Sequence, residues 1–191
     1  MIFEHLLAEA DFLIHGYRPG ALESLGYDAE TRRWINPHHI EVTLCAYGWT
    51  GPWSGRRGFD SLVQMSSGIA AEGMARAGSE TPKPLPVQAL DHATGYLMAA
   101  AALRALRLRQ ATGEVLTARL SLARTAHLLT AAGAHAFTDA LAPETEADIA
   151  PAIEETSWGP ARRVRFPLRA DGAAPIWQRP AGAVRRDPPR W

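Results

Sequence analysis

The run Ile40 to Ala46, IEVTLCA, constrains this chain most. It is short and apolar with β-branched residues, and it lies between Asn36-Pro37 and a glycine-rich stretch. That length suits a strand better than a helix, so the run predicts a buried strand. Two other runs read alike. Phe12 to His15 is apolar and ends at the turn sequence Gly16-Tyr17-Arg18-Pro19-Gly20. Val115 to Leu120 alternates apolar and polar positions after the breaker Thr112-Gly113. Helical patterns fill the intervals: residues 2–10, with Ile2, Leu6, Leu7 and Ala10 near one face; 21–25; 28–35 with Asp28 as N-cap; 59–69; 91–109; and 121–137, capped by Ser121. Strands alternating with helices predict a parallel α/β sheet.

Other stretches lack that order. Gly48 to Gly58 (GWTGPWSGRRG) reads as a loop that packs its two tryptophans over something. Residues 73–89 are held extended by Pro82, Pro84 and Pro86. Pro143 to Ser157 is acidic and reads as a linker. The tail from Trp158 is rich in arginine, proline and tryptophan; it reads either as a small β-rich piece with a strand at Arg163 to Arg169 or as a docking arm. The expected organisation is a core segment at 1–140, a linker at 141–157 and a C-terminal segment at 158–191. A doubly wound sheet normally opens on a strand whose following turn binds the ligand. Here a helix comes first, and no G-x-G-x-x-G or Walker motif occurs. The fold expected is therefore a partial Rossmann-like parallel sheet with flanking helices, its first strand–helix units missing.

Twenty basic and twenty acidic residues cancel, so no global field calls for nucleic acid or an acidic membrane surface. An arginine-rich tail that binds nucleic acid is the weaker alternative to a solvated or docking arm. Cys45 stands alone in an apolar run, which excludes an internal disulfide and fits a reducing, cytoplasmic setting. No apolar run approaches the roughly 20 residues that span a bilayer. The N-terminus carries Glu4, Glu9 and Asp11 and lacks the basic region of a signal peptide.

Asp91 follows the extended proline stretch and opens a long helix, LPVQALDHATGYLMAA. It reads either as a helix N-cap or as a carboxylate kept ionised by the helix dipole and able to attack a carbonyl. Gly95, one turn on, leaves room for a substrate. The histidines show no metal spacing: His38-His39 sit in a turn, and His127 and His135 are eight apart. No G-x-S-x-G elbow occurs.

Several segments, in order, resemble the family III CoA-transferases. ADFLIHGYRPGALESLGYD is similar to that family's stretch ending N-F-R-P-G-A-L-x-x-L-G. NPHHIEVTLCAYGWTGPWSGRRGFDSLVQMSSG is similar to its N-P, strand, G-x-G-x-x-G-P and R-x-G-F-D series. LPVQALDHATGYLMAAAALRAL followed by ATGEVLTARLSLARTA is similar to its D-x-x-(T/S)-G helix and the strand and helix after it. The match covers about residues 8–130.

The resemblance implies an enzyme that moves CoA from an acyl-CoA donor to a carboxylic acid acceptor through an aspartyl-CoA thioester. Asp91 stands at the family's nucleophile. Gly16 and Tyr17 stand at its Asn-Phe pair in the CoA cleft, with the aromatic kept and the amide lost. Arg57 matches a basic position near the CoA phosphates or pantetheine, and Asp60 an acidic position near the nucleophile. Coenzyme A enters as a substrate, and no metal is implied. Family members form interlocked dimers, so the expected partner is a second copy or a chain that supplies the missing N-terminal units. Acyl-CoA racemases of the same superfamily carry a G-H-D sequence where this chain reads Gly58-Phe59-Asp60, and phenylalanine moves no proton. An inactive fragment that acts only with a partner chain is the other alternative.

Overall fold

The computed structural model describes residues 2–133, 142–168, 171–173 and 177–191. The chain forms two compact units, Met1–His135 and Ala136–Trp191. The first is a mixed α/β unit with a three-stranded parallel sheet flanked by helices.

The first unit opens on helix α1 (Ile2–Glu9), which leads into strand β1 (Phe12–His15). Asn36 closes the end of α1: its Nδ2 donates to the carbonyls of Leu7 and Ala10, each at 2.9 Å. A 3-10 turn (Glu23–Leu25) stands where a short helix is expected. Helix α2 (Ala29–Ile35) starts where Asp28 accepts from the Thr31 N–H at 2.7 Å. Strand β2 (Ile40–Cys45) lies between β1 and β3 (Thr117–Ser121), parallel to both. Ile40 and Val42 on one face of β2 pack against Ala102 and Ala105 of the long helix α5 (Ala89–Thr112). Gly113, with φ 76°, closes α5 in the left-handed region that glycine reaches without strain. Ser121 accepts from the Arg124 N–H and caps α6 (Leu122–Ala131). Helix α6 ends at Ala131, short of the expected Phe137; residues 134–137, with His135, lie outside the described residues.

The single helix expected over 59–69 is two. Helix α3 (Asp60–Ser66) ends before Gly68, whose φ of 95° turns the chain. Helix α4 (Ile69–Ala77) then runs through Gly73, into a segment expected to be extended. Gly73 is a crossing point here, not a helix breaker. A Cβ there would lie 2.1 Å from the Lys83 carbonyl oxygen. The proline segment therefore crosses α4 at backbone distance, and the Lys83 N–H donates to Ala70 O at 3.0 Å.

In the second unit, the expected linker at 141–157 is corrected. After a 3-10 turn (Glu146–Asp148), strand β4 (Ile149–Thr156) pairs antiparallel with β5 (Gly159–Val164). The strand expected from Arg163 thus begins earlier, at Gly159, and ends at Val164; Arg169 lies outside the described residues. Acidic side chains hid β4 from a hydrophobicity reading. One ion pair, Glu154 with Arg163, links the two strands, and Arg162 of β5 reaches back to Glu146 in the turn before β4 at 2.8 Å.

Candidate active site

The three parallel strands end together, and each end launches a candidate residue or its support. Gly16 and Tyr17 follow β1, and the glycine-rich loop follows β2. Helix α5 runs back against the strands. Its last turn meets their opposite end, where Arg109 donates to His38 O at 2.8 Å and to Asp11 Oδ1 at 2.6 Å. The start of α5, and so Asp91, therefore lies at the carboxyl edge of the sheet. Ligands bind at this edge in open α/β sheets.

Gly58 brings the loop home. A Cβ at this position would lie 2.7 Å from the Ala46 Cβ and 3.0 Å from Tyr47 Cε2. Only a glycine lets the chain pass so near the end of β2 and start α3 at Asp60. The Asp60 carboxylate is 1% exposed and spans two helices. Its Oδ2 accepts from the Asp91 N–H at 2.9 Å, and its Oδ1 accepts from Gln64 Nε2 at 2.5 Å. Gln64 also donates to Val87 O at 3.0 Å and accepts from the Leu85 N–H at 2.8 Å. Asp60 and Gln64 thus bind the proline segment and the first turn of α5 to α3. Below them, Thr94 and Thr125 share a 2.7 Å hydrogen bond that ties α5 to α6.

Asp91 is not the N-cap. Helix α5 begins at Ala89, and Gln88 occupies the cap position without a side-chain bond. Asp91 sits in the first turn with its side chain exposed, and its carboxylate makes no hydrogen bond among the described residues. Partial loss of solvent raises the pKa of this carboxyl, and the Asp60 charge adds to the rise; His92 pulls the other way. The shift runs upward, against the lowering that the helix end alone would give. Asp60 fills the N–H that the dipole argument assigned to Asp91. A carboxylate with a raised pKa and free lone pairs is the more basic nucleophile.

The structure joins Asp60 to Asp91 directly. It sets Tyr17, 62% exposed, and the exposed Arg57 on loops from the same sheet edge, and neither forms a hydrogen bond or ion pair with Asp91. Arg57 carries no ion pair among the described residues, whereas its neighbour Arg56 lies over the Trp53 ring at 4.9 Å. Gly16 faces open space where a side chain would point, so no steric demand makes it a glycine.

Sequence reasoning missed two groups. One is Gln64, whose bonds to the proline segment carry no local signature. The other is buried around Glu41, the one acid inside IEVTLCA. Arg32 of α2 grips its carboxylate, with Nη2 to Oε1 at 2.6 Å and Nε to Oε2 at 3.2 Å. Burial pushes the Glu41 carboxyl up, but His15, His39 and Arg32 outweigh it and hold the group well below the usual carboxylate range. No cluster of three or more His, Cys, Asp or Glu able to hold a metal occurs among the described residues. No helix among them is long and apolar enough to cross a membrane.

A model described as CoA-transferase family III matches residues 1–163. The chain is 36% identical over 104 residues to the probable fatty acyl-CoA transferase Rv3272 of Mycobacterium tuberculosis, covering 54% of this chain and 26% of that protein. It is 35% identical over 114 residues to the beta subunit of a succinyl-CoA–L-malate CoA-transferase of Chloroflexus aurantiacus, covering 59% and 28%. The orthorhombic crystal structure of Rv3272 aligns with a TM-score of 0.63 at 32% identity, covering 69% of this chain and 36% of that one. A CAIB/BAIF family protein from Brucella suis aligns with a TM-score of 0.58 at 25% identity, covering 83% and 43%. The chain spans about a quarter of the length of the curated relatives it matches.

Proposed function

Because the chain belongs to CoA-transferase family III, we propose that it carries the nucleophile of an enzyme that moves CoA from an acyl-CoA to a carboxylic acid. The observation that carries this reading is the Asp60–Asp91 contact at the carboxyl edge of the sheet. It fixes an exposed, unbonded carboxylate of raised pKa at the start of a helix. In the proposed cycle, Asp91 attacks the thioester carbonyl and expels the CoA thiolate, leaving a mixed anhydride. The thiolate then attacks the Asp91 carbonyl, releases the donor acid and leaves an aspartyl-CoA thioester. The acceptor carboxylate attacks that thioester and expels CoA. The thiolate takes the acyl group from the new anhydride and frees Asp91. Every bond made is matched by one broken, and no water is consumed.

In this reading Gly16, Tyr17 and Arg57 line the CoA cleft, with Arg57 meeting the negative CoA chain. Asp60 acts through the Asp91 amide as a positioning residue. Acyl-CoA and a carboxylic acid are the small-molecule partners, and a second copy or a partner chain completes the enzyme. The separate alpha and beta subunits among the relatives favour that partnership. A reducing, cytoplasmic setting suits the buried thiol Cys45.

The test is intact-protein mass spectrometry of the full-length protein after incubation with a panel of acyl-CoAs and borohydride trapping. A CoA-sized adduct on wild type before borohydride, converted by borohydride into a homoserine at position 91 with release of CoA, and both absent from Asp91→Ala, is the expected result. A folded wild-type protein that takes no adduct defeats the reading.

A further inference from the structure

The buried cluster around Glu41 has no place in the proposed chemistry, yet its members lead toward Tyr17. Arg32 fixes the Glu41 carboxylate; its Nη1 also donates to the Tyr27 carbonyl and lies 3.7 Å from Glu23 Oε1. His39 Nδ1 donates to Asn36 O at 2.6 Å, which leaves its Nε2 facing Glu41 Oε2 at 3.5 Å. On the other side, His15 Nε2 faces Glu41 Oε1 at 3.7 Å. Both ring nitrogens of His15 are buried and without a hydrogen-bond partner, a costly state that calls for a reason. The ring itself supplies one. It stacks on Tyr17 with centroids 5.8 Å apart and planes 30° from parallel. Tyr17 otherwise leaves the sheet edge exposed, next to a glycine that faces open space.

We propose that His15 is a positioning residue: its imidazole, lodged between the Glu41 carboxylate and the Tyr17 ring, sets the direction in which Tyr17 leaves the sheet. The Glu41 carboxylate, fixed by Arg32, faces one edge of the imidazole, and the face of the imidazole carries the phenol. Losing the ring frees Tyr17 to rotate, and CoA must then order it on binding. The inference rests on the reading of Tyr17 as a wall of the CoA cleft.

The test is a double-mutant cycle on CoA affinity in the full-length protein, measured by titration calorimetry. His15→Ala is expected to weaken CoA binding about five- to tenfold, with the loss in Kd and KM rather than in kcat. His15→Phe, which keeps an aromatic face, restores most of it. In a Tyr17→Ala background, His15→Ala adds nothing. Additive losses, or a Phe variant as weak as the Ala variant, overturn the inference. If Tyr17→Ala leaves affinity unchanged, the CoA role of Tyr17 fails first and takes the inference with it. The stack is checked separately by the ring-current shifts of the His15 carbon-bound protons, which vanish in Tyr17→Ala; shifts that persist show that the two rings do not meet.

Discussion

The backbone N–H of Asp91 donates to Asp60 Oδ2 at 2.9 Å, so one aspartate caps the helix turn that carries the other. A buried acid from α3 thereby does the work that an N-cap residue of α5 would do, and Asp91 keeps a free carboxylate. The two negative charges stand close enough that Asp60 raises the pKa of Asp91.

Asp60→Asn removes that charge and keeps an oxygen to accept from the Asp91 N–H. The Asp91 pKa then falls, and the acid limb of the kcat/KM profile moves to lower pH. On the proposed role of Asp91 the attacking carboxylate becomes less basic, so turnover falls on the plateau as well. A pH–rate profile of wild type and variant checks both effects; an acid limb that stays in place removes Asp60 from the electrostatics of Asp91.

Glu41 is buried and its folded pKa is depressed from the ordinary 4.5. Its ionisation therefore contributes stability that is fully present above about pH 4.5 and is lost as the pH falls below it. Glu41→Gln strands the Arg32 charge and is expected to cost about 3–5 kcal/mol at neutral pH. Urea unfolding at pH 7 and at pH 3.5 checks this: the gap between wild type and variant narrows in acid.

Gly58→Ala drives a methyl into Ala46 and Tyr47. The expected cost is about 1–3 kcal/mol of stability. Because the chain reaches Asp60 two residues later, kcat/KM falls by more than the melting temperature alone accounts for. Thermal unfolding and steady-state kinetics on one preparation separate the two effects.

In the second unit, Arg163→Glu sets two acids against each other across β4 and β5. The hairpin loses about 0.5–1 kcal/mol of cross-strand attraction and gains a repulsion of similar size. Faster proteolysis within 142–168, with the first unit intact, is the expected signature.

The strands and caps of the first unit were legible because their causes are local. The β-branched run of β2, the oxygens of Asp28 and Ser121 at their helix starts, and Gly113 past the end of α5 each act within four residues. The candidate site was legible in part. That Asp91 opens a helix could be read, but not that its N–H is taken by an acid 31 residues earlier. The crossing at Gly73 and the reach of Gln64 to residues 85 and 87 depend on how distant segments pack. Glu41 did give a signal, as an acid in a buried strand, and its meaning lay in Arg32 and the two histidines. Strand β4 stayed hidden because its pairing with the distant β5, including the Glu154–Arg163 ion pair, leaves no apolar alternation in its own sequence.

The cap that Asp60 provides also sets an order of events. Until α3 docks, the first turn of α5 lacks its acceptor, and Asp91 lacks both the burial that chiefly raises its pKa and the Asp60 charge that adds to the rise. A chain still folding, or one misassembled around the glycine-rich loop, therefore holds a carboxylate of ordinary reactivity. The environment of the Asp91 carboxylate is thus completed only with the tertiary structure.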